Sequence, residues 1–329
     1  MSNILVVGGA GYIGSHVVYE LVKNNENVIV LDNLSTGFEK AINKNAKFYE
    51  GDIRNKNFLS SIFKIEKIEA VIHFAAFSQV GESMLNPLKY YNNNVNGTEV
   101  LLEAMVENNV KFIIFSSTAA VYGEPETTPI LESSPTKPTN CYGATKLAVE
   151  NMLKWTSIAH NLKFISLRYF NACGADLSAE IGEAHSFETH LIPLILKVAI
   201  NKKEYINVFG TDYNTKDGTA IRDYIHVTDL AQAHILALKY LENGGDSDIF
   251  NLGGGTGLSV REIIKAAQNI TNCIIPVKEK PRRKGDPCIL VASSEKAKRV
   301  LNWKQQYSNI KTILSSAFKW HKLHPNGYI

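Results

Sequence analysis

The sequence contains no apolar run that approaches the ~20 residues of a membrane-spanning helix. Its N-terminus also lacks the charged and apolar regions of a signal peptide, because a strand-like run already begins at residue 4. We therefore predict a cytoplasmic protein that makes no contact with a membrane.

Cysteine is scarce. The chain has four, at positions 141, 173, 273 and 288, and no two of them have the spacing of a redox or metal motif. We interpret them as buried or incidental thiols in a reducing compartment. Histidine and cysteine do not cluster together in the sequence, so we predict no metal site. Two of the histidines, His321 and His324, are expected in an exposed tail.

Excess charge is also small, since 35 Lys and Arg against 32 Asp and Glu leave a net +3. This balance argues against nucleic acid or an anionic membrane as a partner. The densest basic cluster, Arg282-Arg283-Lys284, is short, and it is either a solvated loop or a clamp for a substrate phosphate. Internal repeats and clear linkers are absent, so 329 residues indicate one large domain or two coupled domains.

What the chain does have is a strand, a glycine turn and a helix near its start. An apolar run leads into Gly8-Gly9-Ala10-Gly11-Tyr12-Ile13-Gly14 and then into a helical segment, 15–23. Gly8 allows a tight turn, Gly11 lets the backbone approach a pyrophosphate, and Gly14 lets the helix pack on the strand. The N–H groups and positive dipole end of the helix would then face the anion.

An acidic residue, Asp32, ends the second apolar run, at about the separation where a carboxylate meets the adenosine ribose hydroxyls of a dinucleotide. A carboxylate there would repel the 2′-phosphate of NADP. The sequence therefore predicts NAD as the cofactor.

Strand-like runs alternate with helical segments up to about Tyr169. The runs are residues 4–7, 28–31, 47–50, 70–74, 112–115 and 164–167. This alternation predicts an α/β fold, a Rossmann-like doubly wound parallel sheet whose ligands bind at the carboxyl ends of the strands. Beyond residue 171 the pattern loosens into a smaller mixed α/β substrate lobe. We therefore divide the chain into an NAD-binding domain, 1–171, and a C-terminal lobe, 172–329, and expect the two to interdigitate.

Tyr142 and Lys146 form the most informative pair of polar residues, because four residues of helix place them on one face. A nearby ammonium and a positive nicotinamide ring would lower the pKa of the phenol, so Tyr142 could take a proton from a substrate hydroxyl. Thr118 follows the strand 112–115 and can reach the same pocket. We predict that these three residues are catalytic.

With these residues in place, the chain resembles the extended short-chain dehydrogenase/reductase superfamily and, within it, the UDP-glucose 4-epimerases. The motifs that carry the resemblance are Gly11-Tyr12-Ile13-Gly14-Ser15-His16, Glu50-Gly51-Asp52-Ile53-Arg54, Val71-Ile72-His73-Phe74-Ala75, Tyr142-x-x-x-Lys146, Leu167-Arg168-Tyr169-Phe170-Asn171, Arg222-Asp223-Tyr224-Ile225-His226-Val227 and the segment 281–286. They span the chain from end to end.

The resemblance implies interconversion of UDP-glucose and UDP-galactose by transient oxidation at C4 of the sugar. Tyr142 would remove the 4-hydroxyl proton while C4 passes hydride to tightly held NAD. The 4-keto sugar would then rotate in the site and receive the hydride on its other face. Lys146 would bind the nicotinamide ribose and tune Tyr142, and Thr118 would orient the hydroxyl.

The resemblance also implies the binding residues. The cofactor would be held, besides Tyr142 and Lys146, by Gly8, Gly11, Tyr12, Ile13, Gly14, Asp32, Asn33, Asp52, Ile53, Phe74, Ala75, Ala76, Asn93 and Phe170. The UDP-sugar would be held by Thr118, Asn171, Leu191, Phe209, Arg222, Arg283, Asp286 and Leu290, with the arginines on the diphosphate. Members of the family often pair through two helices, here near 92–108 and 142–160, so we expect a homodimer.

Three positions depart from the family pattern. Ser78 stands where glucose epimerases have Lys, and His190 stands where they have Asn. Leu290 occupies the position that gates the sugar pocket, and it is intermediate in size between the bulky Tyr of strict glucose enzymes and the small residues of enzymes that accept N-acetyl sugars. The resemblance therefore leaves open whether UDP-GlcNAc and UDP-GalNAc are also substrates.

Other activities fit parts of the pattern. A uronic-acid or pentose 4-epimerase would use the same chemistry in a different pocket. A 4,6-dehydratase needs an acid and a base directly after the Thr, where this chain has Ala119-Ala120. A non-catalytic dinucleotide sensor would have no need of Tyr142, Lys146 and Thr118 together.

Overall fold

The computed structural model describes residues 2–283 and 287–329. Strands in these residues are β1 (Asn3–Val7), β2 (Asn27–Asp32), β3 (Lys47–Glu50), β4 (Ala70–His73), β5 (Phe112–Ser116), β6 (Lys163–Tyr169), β7 (Asn171–Cys173), β8 (Ile206–Phe209), β9 (Ile221–Arg222), β10 (Tyr224–His226), β11 (Asp248–Leu252), β12 (Leu258–Ser259), β13 (Val277–Lys280) and β14 (Ile289–Leu290).

The α-helices are α1 (Tyr12–Lys23), α2 (Lys56–Glu66), α3 (Val80–Leu85), α4 (Pro87–Tyr90), α5 (Gly97–Glu107), α6 (Cys141–His160), α7 (Leu191–Ala199), α8 (Val227–Glu242), α9 (Val260–Thr271), α10 (Glu295–Leu301) and α11 (Ile310–Leu323). A π-helical segment, Tyr91–Asn96, joins α4 to α5, and short 3₁₀ turns lie at Glu39–Ala41 and Ala119–Tyr122.

Seven of the strands form one parallel sheet in the order β3-β2-β1-β4-β5-β6-β11. This is the strand order of a Rossmann fold, and the direction of winding reverses between β1 and β4. The predicted α/β fold with a doubly wound parallel sheet is confirmed.

Side chains of the central strands are buried on both faces of this sheet, as their continuous apolar runs predict. In β1, Ile4 and Val6 belong to one core and Leu5 and Val7 to the other. Helices α1 and α8 cover the first core, and α2, α5 and α6 cover the second. The sheet is thereby sandwiched, and its carboxyl edge is left as the place for a ligand.

Part of the C-terminal half belongs to this sheet. Strand β11 pairs with β6 and completes the sheet, and α8 packs on α1 and beside β5 and β6. Phe250, Asn251 and Leu252 are all buried in β11, so both faces of this strand are covered. The two halves interleave as a result.

The remaining C-terminal elements surround a third core formed by α7, α9, α11 and β8, and the exposed strand β13 pairs with β8. His321 is only 7% exposed there, so its expected place in an exposed tail is wrong. His321 lies on α11, which packs on α7 and α9 through one apolar face. The basic residues in the last turn of this helix suggested exposure instead. None of the helices among residues 2–283 and 287–329 has the length and apolar character needed to cross a membrane.

Candidate active site

A cleft opens at the carboxyl edge of the sheet, over the point between β1 and β4 where the winding reverses. It brings together most of the residues predicted for the cofactor and the chemistry. Its walls include Gly8, Gly11, Tyr12, Ile13, Gly14, Asp32, Asn33, Ile53, Phe74, Ala75, Ala76, Asn93, Thr118, Tyr142, Lys146, Phe170 and Asn171.

The glycine turn after β1 forms the floor of the cleft. Gly8 has φ +82°, and a Cβ on it would lie 2.5 Å from the backbone nitrogen of Ala75. A Cβ on Gly14 would lie 2.2 Å from the carbonyl oxygen of Gly8, so only glycine lets α1 start this close to the strand. Gly11 caps α1 and has no side chain to cover the first N–H groups of the helix. These groups are available to an anion in the cleft.

Asp32 closes the end of the cleft where β2 stops. Its carboxylate is nearly buried and accepts hydrogen bonds from the backbone nitrogens of Ala10 (3.0 Å) and Leu34 (2.8 Å). Burial raises the pKa of this carboxyl, and the backbone N–H groups act in the opposite direction. The oxygens can also accept hydrogen bonds from hydroxyl groups in the cleft.

Asp52 lies behind the cleft wall, and this is the one predicted cofactor residue that does not line the cleft. The side-chain amide of Asn33, which does line it, donates to Asp52 over 3.2 Å. Hydrogen bonds from Arg54 lower the pKa of Asp52 to about 2. Asp52 therefore acts on the cleft through Asn33.

The predicted catalytic residues meet at the opposite end. Asn140 caps α6 by accepting from the backbone nitrogen of Gly143 over 2.9 Å, which sets the helix start. Lys146 points back to the sheet, where Nζ donates to the carbonyl oxygen of Ser116 over 2.7 Å. Thr118 lies beside the Tyr142 hydroxyl and acts to lower its pKa. The phenol, the hydroxyl and the amine thus share one pocket.

Titration of the phenol differs from the expectation that a nearby ammonium lowers its pKa. Burial raises the pKa of Tyr142 to about 12, against a smaller lowering by Thr118. Burial also lowers the pKa of Lys146 to about 7, although the charge of Glu150 acts to raise it. In the protein alone, desolvation is thus the largest influence on the pKa of both residues.

A buried polar network holds these residues from behind. Glu150, one turn after Lys146, accepts from the Ser117 hydroxyl (2.5 Å) and from two nitrogens of Arg168 (2.9 and 2.5 Å). Arg168 also donates to the Tyr122 hydroxyl over 2.9 Å. Tyr122 in turn donates to Asn251 on β11 over 2.7 Å. The network ties α6 to β6 and to the last strand of the sheet.

The π-helical segment supplies a positioning residue, Asn94, that the sequence analysis did not identify. The Asn94 side chain accepts from the backbone nitrogen of Phe77 (2.9 Å) and donates to its carbonyl oxygen (3.0 Å) and to Thr145 (3.1 Å). It fixes the loop after β4 against α6. A run of three asparagines, 92–94, inside a helical pattern is the signal for this irregularity.

The predicted substrate residues are spread more widely. Asn171 lines the cleft and donates to the carbonyl oxygen of Asp223 over 2.8 Å. Arg222 on β9 and Leu290 on β14 are register partners in a small sheet of the second lobe. The Arg283 guanidinium lies 3.9 Å from the centre of the Phe209 ring. Leu191 begins α7, and Asp286 lies outside the described residues.

A group of four charged side chains was also overlooked. Glu183, His185, Glu188 and His190 meet beside the cleft, with one ligand atom of each lying within 4.8 Å of the others. Burial acts to lower the pKa of both histidines, but the two carboxylates raise it to about 9 for His185 and about 10 for His190. The alternation E-x-H-x-x-E-x-H is the signal that could have found the group.

Further cleft residues were not predicted to line it: Leu31, Ser35, Thr36, Phe77, Ser116, Tyr169 and Ala172, with Ser78 identified only as a departure. Most of them directly follow a strand or adjoin a predicted site residue. Strand ends at the carboxyl edge are the general signal for such positions.

Comparison with known proteins agrees with this geometry. The model of the NAD dependent epimerase/dehydratase family matches residues 4–253. The UDP-glucose 4-epimerase of Lacticaseibacillus casei is 53% identical over 326 residues, covering 99% of this chain and 98% of its own. A crystal structure of a UDP-glucose 4-epimerase is 57% identical with a TM-score of 0.98 and covers 100% of both chains. The Bifidobacterium longum UDP-glucose 4-epimerase in complex with NAD+ and UDP is 39% identical with a TM-score of 0.94, covering 99% of this chain and 100% of its own.

The glycine turn, the carboxylate at the end of β2 and the Tyr–Lys pair in one cleft are thus found in a chain whose relatives match it over nearly its full length. The chain belongs to the NAD dependent epimerase/dehydratase family.

Proposed function

We propose that the protein interconverts UDP-glucose and UDP-galactose by NAD-dependent transient oxidation at C4 of the sugar. The observation that carries the proposal is the meeting of Tyr142, Lys146 and Thr118 with the glycine turn in one cleft. The full-length similarity to proteins named UDP-glucose 4-epimerase supports the choice of substrate.

The residues of the cleft fit NAD. The uncapped start of α1 suits a pyrophosphate, and the Asp32 carboxylate suits a pair of ribose hydroxyls and disfavours a 2′-phosphate. Asn33, Ile53, Phe74, Ala75, Ala76, Asn93 and Phe170 would complete the walls of this site. Bound NAD would supply the hydride acceptor for C4 of the sugar.

Tyr142 is the proposed base for the 4-hydroxyl proton and the acid that returns it. Thr118 would share its hydroxyl between Tyr142 and the sugar, which orients the reacting oxygen. Lys146, held by the Ser116 carbonyl at 2.7 Å, would donate to a ribose hydroxyl in the cleft and place positive charge near the phenol. That charge would offset the desolvation that raises the pKa of Tyr142.

The second lobe would hold the UDP-sugar. Arg222 and Arg283 are the proposed diphosphate ligands, since guanidinium groups bind phosphate oxygens in a bidentate manner. Phe209 stacks on Arg283 and would orient it. Asn171, Leu191 and Asp286 are the other proposed contacts.

Leu290 would set the size of the sugar pocket. It packs with Phe170 against a cluster that contains Val121 and Tyr122, just beyond Thr118. A leucine leaves more room there than a tyrosine, which supports acceptance of N-acetyl sugars. The pocket for other sugars, a uronic acid or a pentose, would differ at the same place.

The test is turnover of UDP-galactose and UDP-N-acetylgalactosamine by the purified protein without added cofactor. We expect both to convert to their C4 epimers. The Leu290→Tyr variant should keep UDP-galactose turnover and lose at least tenfold in kcat/KM on the N-acetyl sugar, because the larger ring fills the pocket. If wild type converts only UDP-galactose, the role of Leu290 is contradicted and the epimerase activity stands. If it converts neither sugar with NAD added, the proposed substrate is wrong.

We also propose a homodimer formed through α5 and α6. A surface groove between these helices is lined in part by Leu102, Val106, Met152 and Trp155. Trp155 is 67% exposed, and Ile158, three residues later on the same face of α6, is 68% exposed. Two large apolar side chains at adjacent helix positions are typical of a protein interface.

Trp155→Glu is expected to dissociate the dimer, because it places a charge at the centre of the apolar face. Light scattering on a sizing column should give twice the 36.5 kDa chain mass for wild type and the single chain mass for the variant. Ile274→Glu is the control, since Ile274 is 86% exposed and lies on the loop after α9. A monomeric wild type, or a dimeric Trp155→Glu variant, would contradict this interface.

A further inference from the structure

Glu183, His185, Glu188 and His190, which we name the EHEH cluster, occupy eight residues between β7 and α7. Three of them, Glu183, His185 and His190, line the cleft. Two of the four are carboxylates and two are imidazoles. The predicted catalytic chemistry uses none of them.

Each imidazole contacts both carboxylates, and the two contacts to Glu188 use different oxygens. His185 Nδ1 lies 3.3 Å from a Glu183 oxygen and 3.2 Å from a Glu188 oxygen. His190 Nδ1 lies 2.9 Å from each of the same two carboxylates. Each imidazole therefore presents one nitrogen to two carboxylates, and a single N–H can point squarely at only one of them.

These separations match the edges of a small coordination polyhedron. A tetrahedral zinc ion with bonds of about 2.0–2.2 Å places its ligand atoms roughly 3.4 Å apart. The four nitrogen–oxygen separations, 2.9–3.3 Å, lie slightly below that value, and one ligand atom from each of the four residues lies within 4.8 Å of the others. A small rearrangement of these side chains therefore admits the ion.

The carboxylates are buried, unlike the acidic groups of a solvated surface. The side chains of Glu183 and Glu188 are 4% and 3% exposed. Backbone nitrogens of Thr189 and His190 each donate to one Glu188 oxygen over 2.8 Å, which fixes that carboxylate from behind. The His190 side chain is 50% exposed and leaves an entry path from solvent. A closed ligand set, a supporting shell and an entry path are the features of a built metal site.

We propose that the EHEH cluster binds one divalent transition-metal ion of the zinc class as a structural site. Two imidazole nitrogens disfavour Mg²⁺ and Ca²⁺, which take oxygen ligands. Four protein ligands leave no open position for a substrate.

The bound ion would fasten one wall of the cleft. His190 caps α7, and the Trp320 indole donates to the Glu183 carbonyl over 3.1 Å, so the cluster joins α7 and α11 to the loop that follows β7. On the cleft side the His185 ring lies 6.4 Å from the Tyr12 ring at the start of α1. The ion would thereby hold this loop against the glycine turn.

The experiment uses the full chain after dialysis against a chelator, titrated with ZnCl₂ in a calorimeter. We expect one Zn²⁺ per chain, and an affinity at least 100-fold lower in a Glu183→Gln/His190→Gln double variant. His160→Gln is the control, because His160 is an exposed histidine at the end of α6, and it should bind Zn²⁺ as wild type does. Wild type that binds no Zn²⁺, or a double variant that binds it equally well, would show that the cluster contains ion pairs only and would overturn the proposal.

Cobalt titration of the wild type decides the matter if the double variant does not fold. A four-coordinate site should give an intense visible Co²⁺ absorption that one equivalent of Zn²⁺ abolishes. Absence of that band, or failure of Zn²⁺ to remove it, would overturn the proposal. Turnover of UDP-galactose, measured on the same samples, tests the proposed catalytic function independently of metal content.

Discussion

Replacing Tyr142 by phenylalanine is expected to lower kcat by about 10²–10⁴-fold, because the phenol is the only proposed group that moves a proton at the sugar. The ring stays in place, and the change removes only the phenolic oxygen beside Thr118. KM for UDP-galactose should therefore change little. Steady-state kinetics with saturating NAD measures both parameters.

Tyr205→Phe is the matched control for this variant. Tyr205 lies beside Lys203 and Lys278 in the second lobe, away from the cleft, so loss of its hydroxyl should leave kcat as in wild type. A Tyr142→Phe enzyme that keeps more than a tenth of the wild-type kcat would assign proton transfer to another group and contradict the mechanism.

Arg168→Met is expected to lower the free energy of unfolding by about 3–5 kcal/mol, because it leaves a buried carboxylate without its partner. The side chains of Arg168 and Glu150 are 4% and 3% exposed, and two nitrogen–oxygen contacts of 2.9 and 2.5 Å join them. Urea unfolding followed by circular dichroism measures the change.

The double variant Arg168→Met/Glu150→Met removes both partners of the ion pair, whereas Arg168→Met removes only one. Once the charge of Glu150 is also removed, neither member of this pair remains as an unpaired buried charge, so the double variant should be more stable than Arg168→Met alone. Arg261→Met, which breaks an exposed pair with Glu279 at 43% and 56% exposure, should cost under about 1 kcal/mol. A double variant less stable than Arg168→Met would contradict this account.

Features written in short sequence windows were predictable. The run of β1, the glycine turn and Asp32 lie within 32 residues, and Tyr142 and Lys146 share one helix turn. Local spacing fixes where such side chains point, so their meeting in the cleft followed from the strand order. The roles assigned to the individual residues stay predictions.

Features that depend on contacts between residues far apart in the sequence were not predictable. Glu150 lies in α6, whereas Arg168 lies near the end of β6. Asn251 reaches the same network, through Tyr122, only because β11 pairs with β6. The raised pKa of Tyr142 results from desolvation, and a sequence does not show how deeply a helix start is buried. The EHEH cluster lies in a segment without helix or strand, where no periodicity tells which side chains face one another.

The position of β11 at the edge of the sheet has a consequence for synthesis on the ribosome. Since β11 is residues 248–252, the nascent chain presents β6 as an unpaired edge until three-quarters of it has been made. The apolar face that α8 covers stays open for almost as long. Exposed strand edges and apolar faces are the surfaces through which unfinished chains associate. A fragment that stops at residue 171 would keep both surfaces exposed permanently, so we expect that residues 1–171 do not fold as an independent unit.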